Sequence, residues 1–178
     1  IVGLGRIGRR AVSMARGLNM DVIAYDPLVD DDVFDMMDVE SVSFDELLRR
    51  SDCITIHAPM TEQTHHMFST DEFDQMKPSA ILVNVARGPI VDTEALVDAL
   101  EEGQIRAAGL DVYENEPPNA SRVLDCEKIT CSPHFAGGSV SAKKNKIAIV
   151  REELERALTG ETLQNVVNGE VFQYRDYR

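Results

Sequence analysis

Three glycines in six residues, Gly3-Leu4-Gly5-Arg6-Ile7-Gly8, set the strongest limit on what this 178-residue chain can fold into. They follow Ile1-Val2 directly and precede a stretch, residues 6–18, in which Ile7, Val12, Met14, Ala15 and Leu18 supply the apolar positions of a helix. A strand end, a glycine turn and a helix in that order match G-x-G-x-x-G. The first glycine permits a tight turn, the second lets the backbone approach a pyrophosphate, and the third allows the helix to pack closely on the strand. Phosphates would then meet the free N–H groups and the positive dipole end of the helix. On its own the pattern also fits a merely glycine-rich turn.

Asp26 adds the second half of the pattern. It stands 18 residues beyond Gly8, at the end of the next β-rich run, where a carboxylate can accept hydrogen bonds from ribose hydroxyls. A carboxylate there repels a 2'-phosphate, so NAD is expected over NADP. Alone, Asp26 would read equally as a turn residue before Pro27.

Short apolar runs and helical patterns alternate along the rest of the chain. Strands are expected at 21–25, 53–57, 80–85, 105–112 and 128–131, with helices at 44–50, from Asp92 to a stop at Gly103, and from about Ser139 to Leu158. The acidic stretch 30–38 reads as a loop with a helical turn. The run 80–85 is nearly all apolar, as strands of parallel sheets are. The expected class is α/β, a doubly wound parallel sheet of Rossmann type. A strand normally needs about five residues, so the first reads as truncated and the chain as part of a longer one. Residues 1–168 would form the dinucleotide-binding domain, and 169–178, with Phe172, Tyr174 and Tyr177, would begin a segment leaving it.

Composition removes other classes. Asp and Glu number 31 against 18 Lys and Arg, so the formal net charge of −13 opposes binding to a nucleic-acid backbone. No apolar run approaches the roughly 18 residues that span a bilayer, and nothing at the start resembles a signal peptide. A cytoplasmic setting is expected. Only five of the basic residues are Lys, and an acid-rich, Lys-poor surface suits very high salt, where counterions screen self-repulsion. A halophilic protein is therefore expected. Cys53, Cys126 and Cys131 show no CxxC spacing, and His65-His66 has no third ligand at a useful distance, so no metal site is expected. Cys131 reads as a core residue, Asp30-Asp31-Asp32 as a solvated loop, and Glu152, Glu153 and Glu155 as a solvent face.

Ligands of open α/β sheets bind outside the carboxyl ends of the strands, so polar residues just past those ends are the candidates for chemistry. Arg87 follows the 80–85 run, Asp111 and Glu116 follow the next, and His134 follows the last. A guanidinium can hold a carboxylate bidentately and polarise a neighbouring carbonyl. A histidine can exchange a proton with a hydroxyl or carbonyl, and a carboxylate beside it would stabilise its protonated form and fix its orientation. Arg87, Glu116 and His134 are expected to converge at one edge.

Taken together, Gly3-x-Gly-x-x-Gly8 with Asp26, His57-Ala-Pro59-Met-Thr61, Asn84-Val-Ala-Arg87-Gly, Gly109-Leu-Asp111-Val-Tyr-Glu and Pro133-His134 resemble the NAD-binding domain of the D-isomer-specific 2-hydroxyacid dehydrogenases. Phosphoglycerate, D-lactate and glycerate dehydrogenases and the C-terminal-binding-protein corepressors share these motifs. The resemblance runs from Ile1 to about Asn168. It implies an oxidoreductase that moves a hydride between NAD(H) and a small D-2-hydroxy or 2-oxo acid, and, by alternative, an NAD(H)-sensing interaction module of corepressor type. It implies Arg87 as the substrate-binding, carbonyl-polarising residue, His134 as acid/base and Glu116 as its carboxylate. Cofactor contacts are implied for Gly3, Gly5, Arg6, Ile7, Gly8, Asp26, Pro27, Pro59, Thr64, Val85, Asp111 and Gly137, alongside Arg87 and His134. His57 would close its strand near the cofactor. A homodimer through this domain is implied too. Family members carry a substrate domain before the glycine turn, so the isolated chain is not expected to turn over. Gly137-Gly138 stands where several members carry a Trp.

Overall fold

Val2 is paired on both sides. It bridges Tyr25 in one direction and Ile56 in the other, both parallel. The N–H of Gly3 donates to the Tyr25 carbonyl (2.9 Å), that of Val2 to Thr55 (3.0 Å), and that of His57 to Val2 (2.7 Å). Val2 thereby joins β1 (Ile23–Ala24) and β2 (Glu40–Ser41) to a ladder of β3 (Cys53–Ile56), β4 (Ile81–Asn84), β5 (Ala107–Leu110) and β6 (Ile129–Cys131). Every pairing is parallel, in the order β2-β1-Val2-β3-β4-β5-β6. From Val2 the chain winds first to one side and then to the other, so the sheet is doubly wound with its switch point between β1 and β3. The computed structural model describes residues 1–118 and 122–169, which fall into two units, Ile1–His134 and a second beginning at Phe135.

Helices connect the strands of the first unit: α1 (Arg6–Gly17), α2 (Asp31–Met37), α3 (Phe44–Arg50), α4 (Thr70–Gln75), α5 (Thr93–Glu102) and the short α6 (Arg122–Asp125). Their ends follow local chemistry. Ser43 caps α3 by accepting from Glu46 N, and Ser69 with Glu72 forms a reciprocal capping box on α4. Asp92 caps α5, and Gly103 closes it in the left-handed region at φ +79°. Ile54, Ile56 and Leu82 from the central strands meet Phe68, Phe73, Leu96 and Leu100 in the main core. Leu4, Val12, Ala24, Phe34 and Val39 make a smaller core where α1 and α2 meet the sheet.

The second unit holds α7 (Val140–Thr159), started by Ser139 accepting from Ala142 N and ended by Gly160 at φ +75°. No residue of α7 is buried.

Several sequence readings need correction. The acidic stretch expected as a loop with a helical turn is helical through most of its length as α2, because Asp31 and Asp32 occupy the first turn, where the helix dipole favours anions, and Phe34 anchors the helix in the smaller core. Strand β2 and helix α6 lie in segments to which the sequence reading assigns no element. Cys131 is exposed at the end of β6, not buried. Glu153 does not simply face water, since its carboxylate accepts from the N–H of Gln164 at 3.0 Å and the side-chain amide of Asn165 at 3.0 Å. The expected outgoing segment lies, from residue 170 onward, outside the described residues.

The three glycines of the turn do different work. Gly3 adopts φ +89°, and a Cβ there would stand 2.7 Å from the Ala58 nitrogen. A Cβ on Gly8 would stand 2.0 Å from the Gly3 carbonyl oxygen, so the helix seats on the turn itself as much as on the strand. Around the Cβ position of Gly5 nothing lies within 4 Å. Gly8→Ala is therefore expected to cost about 2 kcal/mol through overpacking, whereas Gly5→Ala should cost no more than the roughly 0.5–1 kcal/mol separating Ala from Gly at an N-cap. Urea unfolding of the two variants checks this ordering, and equal losses would contradict it.

Candidate active site

The carboxyl ends of Val2, β1, β3, β4, β5 and β6 deliver every polar residue singled out from the sequence within the first unit. At the switch point the glycine turn runs into α1, whose first N–H groups lack intrahelical acceptors. Gly5 is the N-cap and offers no side chain to satisfy them. With open space at Gly5 and exposed Arg6 and Ile7 beyond it, the turn is a cradle that a side chain would partly fill. The arrangement fits an anionic pyrophosphate.

Asp26, half-buried just beyond β1, is fixed before any ligand arrives. One carboxylate oxygen accepts from Leu4 N at 2.8 Å and the other from Leu28 N at 3.0 Å. The same side chain thus ties the glycine turn to the end of β1 and keeps further lone pairs for hydroxyl donors. Pro27 follows it, exposed. Across the crevice, Thr64 Oγ1 donates to the Pro59 carbonyl at 2.7 Å and accepts from Thr61 N at 2.8 Å, which shapes the 59–64 loop. His57 bonds Thr55 Oγ1 at 3.1 Å, and burial pushes its pKa down.

Past β4, the turn carrying Val85 and Arg87 is held from within. Asn84, 1% exposed, accepts from Ala86 N at 3.0 Å and donates to the Arg87 carbonyl at 2.8 Å. The Arg87 guanidinium donates to the Ala86 carbonyl, so it folds back on its own turn instead of meeting Glu116 or His134. Gly88 has no room for a Cβ, which would lie 1.9 Å from the Tyr113 carbonyl carbon. The loop after β5 therefore rests directly on the residue next to Arg87.

That loop organises the remaining groups. Asp111, 5% exposed, accepts from the Ser132 hydroxyl. Tyr113 donates its phenol to the Ser132 carbonyl at 2.8 Å, and burial is the main cause pushing its pKa up to about 12. Its backbone N–H donates to Glu116 Oε1 at 3.2 Å, while Glu116 Oε2 and His134 Nδ1 stand 2.7 Å apart. The bond from His134, then that from Tyr113 N, holds the Glu116 carboxyl below the usual carboxylate range. An ionised carboxylate only accepts, so Nδ1 carries the hydrogen of this bond and Nε2 takes no part in it. His134 itself sits at φ +51°, a left-handed conformation uncommon outside glycine. Gly137 belongs to the second unit. Sequence reading missed Asn84, Tyr113 and Ser132; a polar Asn ending an apolar strand was the available signal for the first.

The sequence matches the family model described as D-isomer specific 2-hydroxyacid dehydrogenase, NAD binding domain, over residues 1–136. It is 42% identical over 169 residues to the D-3-phosphoglycerate dehydrogenase of Methanocaldococcus jannaschii, covering 94% of this chain and 32% of that protein. With the glyoxylate reductase of Korarchaeum cryptofilum it shares 40% identity over 176 residues, 98% of this chain and 53% of the relative. The chain thus spans about half, or less, of the length of these curated relatives. Among solved structures, the D-lactate dehydrogenase of Lactobacillus jensenii with NAD+ superposes with a TM-score of 0.86 at 30% identity, over 94% of this chain and 54% of that one. The holo D-mandelate dehydrogenase of Rhodotorula graminis gives a TM-score of 0.84 at 34% identity, over 91% and 48%.

Because the folded-state pKa of Glu116 is depressed, its bond to His134 is fully present above the ordinary glutamate range and is lost as pH falls through the folded value. Carboxyl-carbon NMR should place the Glu116 midpoint below the ~4.3 of an ordinary Glu. His134→Ala should move it upward; an ordinary midpoint in the unaltered protein would contradict the pairing.

Proposed function

The chain belongs to the D-isomer specific 2-hydroxyacid dehydrogenase family as its NAD binding domain, and from that membership we propose that the protein interconverts a small 2-oxo acid and its D-2-hydroxy acid with NAD(H). The observation that carries the reading is the Glu116–His134 pair, with Nε2 of the histidine left to act, on the same sheet edge as the glycine cradle. The pyrophosphate would lie against Gly3, Gly5, Arg6, Ile7 and Gly8, the adenosine side against Asp26, Pro27, Pro59 and Thr64, and the nicotinamide end near Val85 and Asp111. When bound, NADH supplies the hydride. In reduction Arg87 holds the substrate carboxylate and polarises the carbonyl, which requires its guanidinium to turn away from the Ala86 carbonyl. His134 gives its Nε2 proton to the carbonyl oxygen, and Glu116 holds the imidazole in the matching tautomer and stabilises its charged form. Asp26 disfavours a 2'-phosphate by charge, which supports NAD over NADP.

The same reading makes residues 1–168 the cofactor-binding part of a longer protein, with a segment from 169 leading back to a substrate domain. The lengths of the relatives support it. A homodimer is the proposed assembly, supported by the exposed Met14 on α1 and Leu18 at its C-cap. No helix among the described residues is long and apolar enough to cross a membrane, and a cytoplasmic setting is proposed. The excess of 31 acidic over 18 basic residues supports halophily.

The test is NADH oxidation by the complete protein against 2-oxo acids of increasing size, in molar KCl and in dilute buffer, with NADPH in parallel. Turnover with NADH well above NADPH is expected, failing in dilute buffer. His134→Ala should reduce kcat at least a hundredfold while NADH still binds. Tight NADH binding without turnover on any acid would overturn the enzymatic reading in favour of a nucleotide-sensing module.

A further inference from the structure

The pair His65-His66 has no chemical role in the sequence reading, yet His66 sits at the junction of three segments. Its backbone is left-handed, φ +48°, a conformation that a non-glycine residue keeps only where its surroundings over-determine it. Four contacts do so. Its N–H donates to the Pro89 carbonyl at 2.8 Å, and its ring stacks on His65 with centroids 4.0 Å apart. Nε2 lies 3.3 Å from Glu114 Oε2, and Nδ1 lies 3.7 Å from Asp92 Oδ2.

The two carboxylates divide their work. Asp92 Oδ1 accepts from Ala95 N at 3.1 Å and Glu114 Oε1 from Thr93 N at 2.7 Å, which together cap α5. His66 faces only the second oxygen of each, so capping does not require it. Burial works to raise the Glu114 carboxyl, and the bonds from Thr93 and His66 outweigh it and hold it below the usual range. Glu114 is also the neighbour of Tyr113, whose N–H holds Glu116, and the peptide between Tyr113 and Glu114 presses on Gly88. A continuous chain of contacts therefore runs from His66 through Glu114 and Tyr113 to Glu116 and His134.

We propose that His66 is a positioning residue: seated between Asp92 and Glu114, it fixes the loop after β5 so that Glu116 stays aligned on His134. The inference rests on reading Glu116 and His134 as the acid/base pair. Gly88 supports the loop from below and Ser132 grips it through the Tyr113 phenol. Thr93 N holds one oxygen of Glu114, and His66 adds a restraint on the other. Without it, Glu114 keeps only its bond to Thr93, and the backbone that presents the Tyr113 N–H gains freedom on that side.

Two variants of the complete protein test this. His66→Asn removes the imidazole while keeping a residue that tolerates the left-handed backbone, and Glu114→Gln keeps an acceptor for Thr93 while removing the charge. The readouts are the ring nitrogen shifts of His134, kcat, KM and NADH affinity. In both variants the His134 Nδ1 signal should move away from its carboxylate-bonded position. With NADH affinity unchanged, kcat should fall roughly tenfold, a fraction of what general acid–base catalysis supplies. The double variant should be no worse than either single one, as for residues acting as a unit. Unchanged His134 shifts in both variants would overturn the proposal, whatever happens to thermal stability. Should the unaltered protein reduce no 2-oxo acid, the functional reading fails, and the His134 shifts alone still decide whether His66 positions the pair.

Discussion

A single carbonyl oxygen, that of Gly3, lies where a side chain on Gly8 would have to be, with only 2.0 Å between the two. That close seat lets α1 begin immediately above the turn. The turn in turn follows a residue, Val2, that is hydrogen-bonded to neighbours on both sides, so the N-terminus of α1 is aimed into the crevice at the switch point of the sheet. Asp26 locks the arrangement from the side by accepting from Leu4 N. The carboxylate proposed to discriminate between cofactors is also part of the scaffold of the glycine turn. Changing it alters both functions together.

Parallel strands carry the consequence across the molecule. All their carboxyl ends lie on one edge, and the residues just beyond them are therefore neighbours despite long separations in sequence. The chemistry needs few groups, but each is held by another. Asn84 shapes the turn of Arg87, Ser132 bonds Asp111, and Tyr113 offers its backbone to Glu116 and its phenol to the Ser132 carbonyl, two residues before His134. His134 adopts a left-handed backbone at φ +51°, so one of the strained backbone positions falls where the proton would be handled.

Much of this was legible in the sequence, and the limits have physical reasons. The glycine turn, the helix after it and Asp26 are encoded locally, within about one βαβ unit. The apolar run 80–85 and the Asp92 and Gly103 helix signals are equally local. The acidic segment 30–38 misled because its charges, taken as solvation, serve the first turn of a helix that Phe34 anchors. Strand β2 pairs over only two residues, too few for any periodicity to register. His66 and Glu114 are 48 positions apart, and no spacing rule connects a histidine in a polar loop to a glutamate beyond a distant strand. Arg87 shows the opposite limit: its location at a strand end follows from pattern, but the direction of its guanidinium depends on the carbonyl it finds nearby.

One edge of the sheet is proposed to serve both cofactor and acid/base pair, and a crystal structure of the complete protein with NADH tests that most directly. The expected result has the pyrophosphate over Gly5 at the start of α1, the adenosine ribose hydroxyls on Asp26, and the nicotinamide reaching the side of the sheet where Asp111 and His134 lie. A dinucleotide bound elsewhere, or one that leaves Gly5 open and Asp26 untouched, would contradict it.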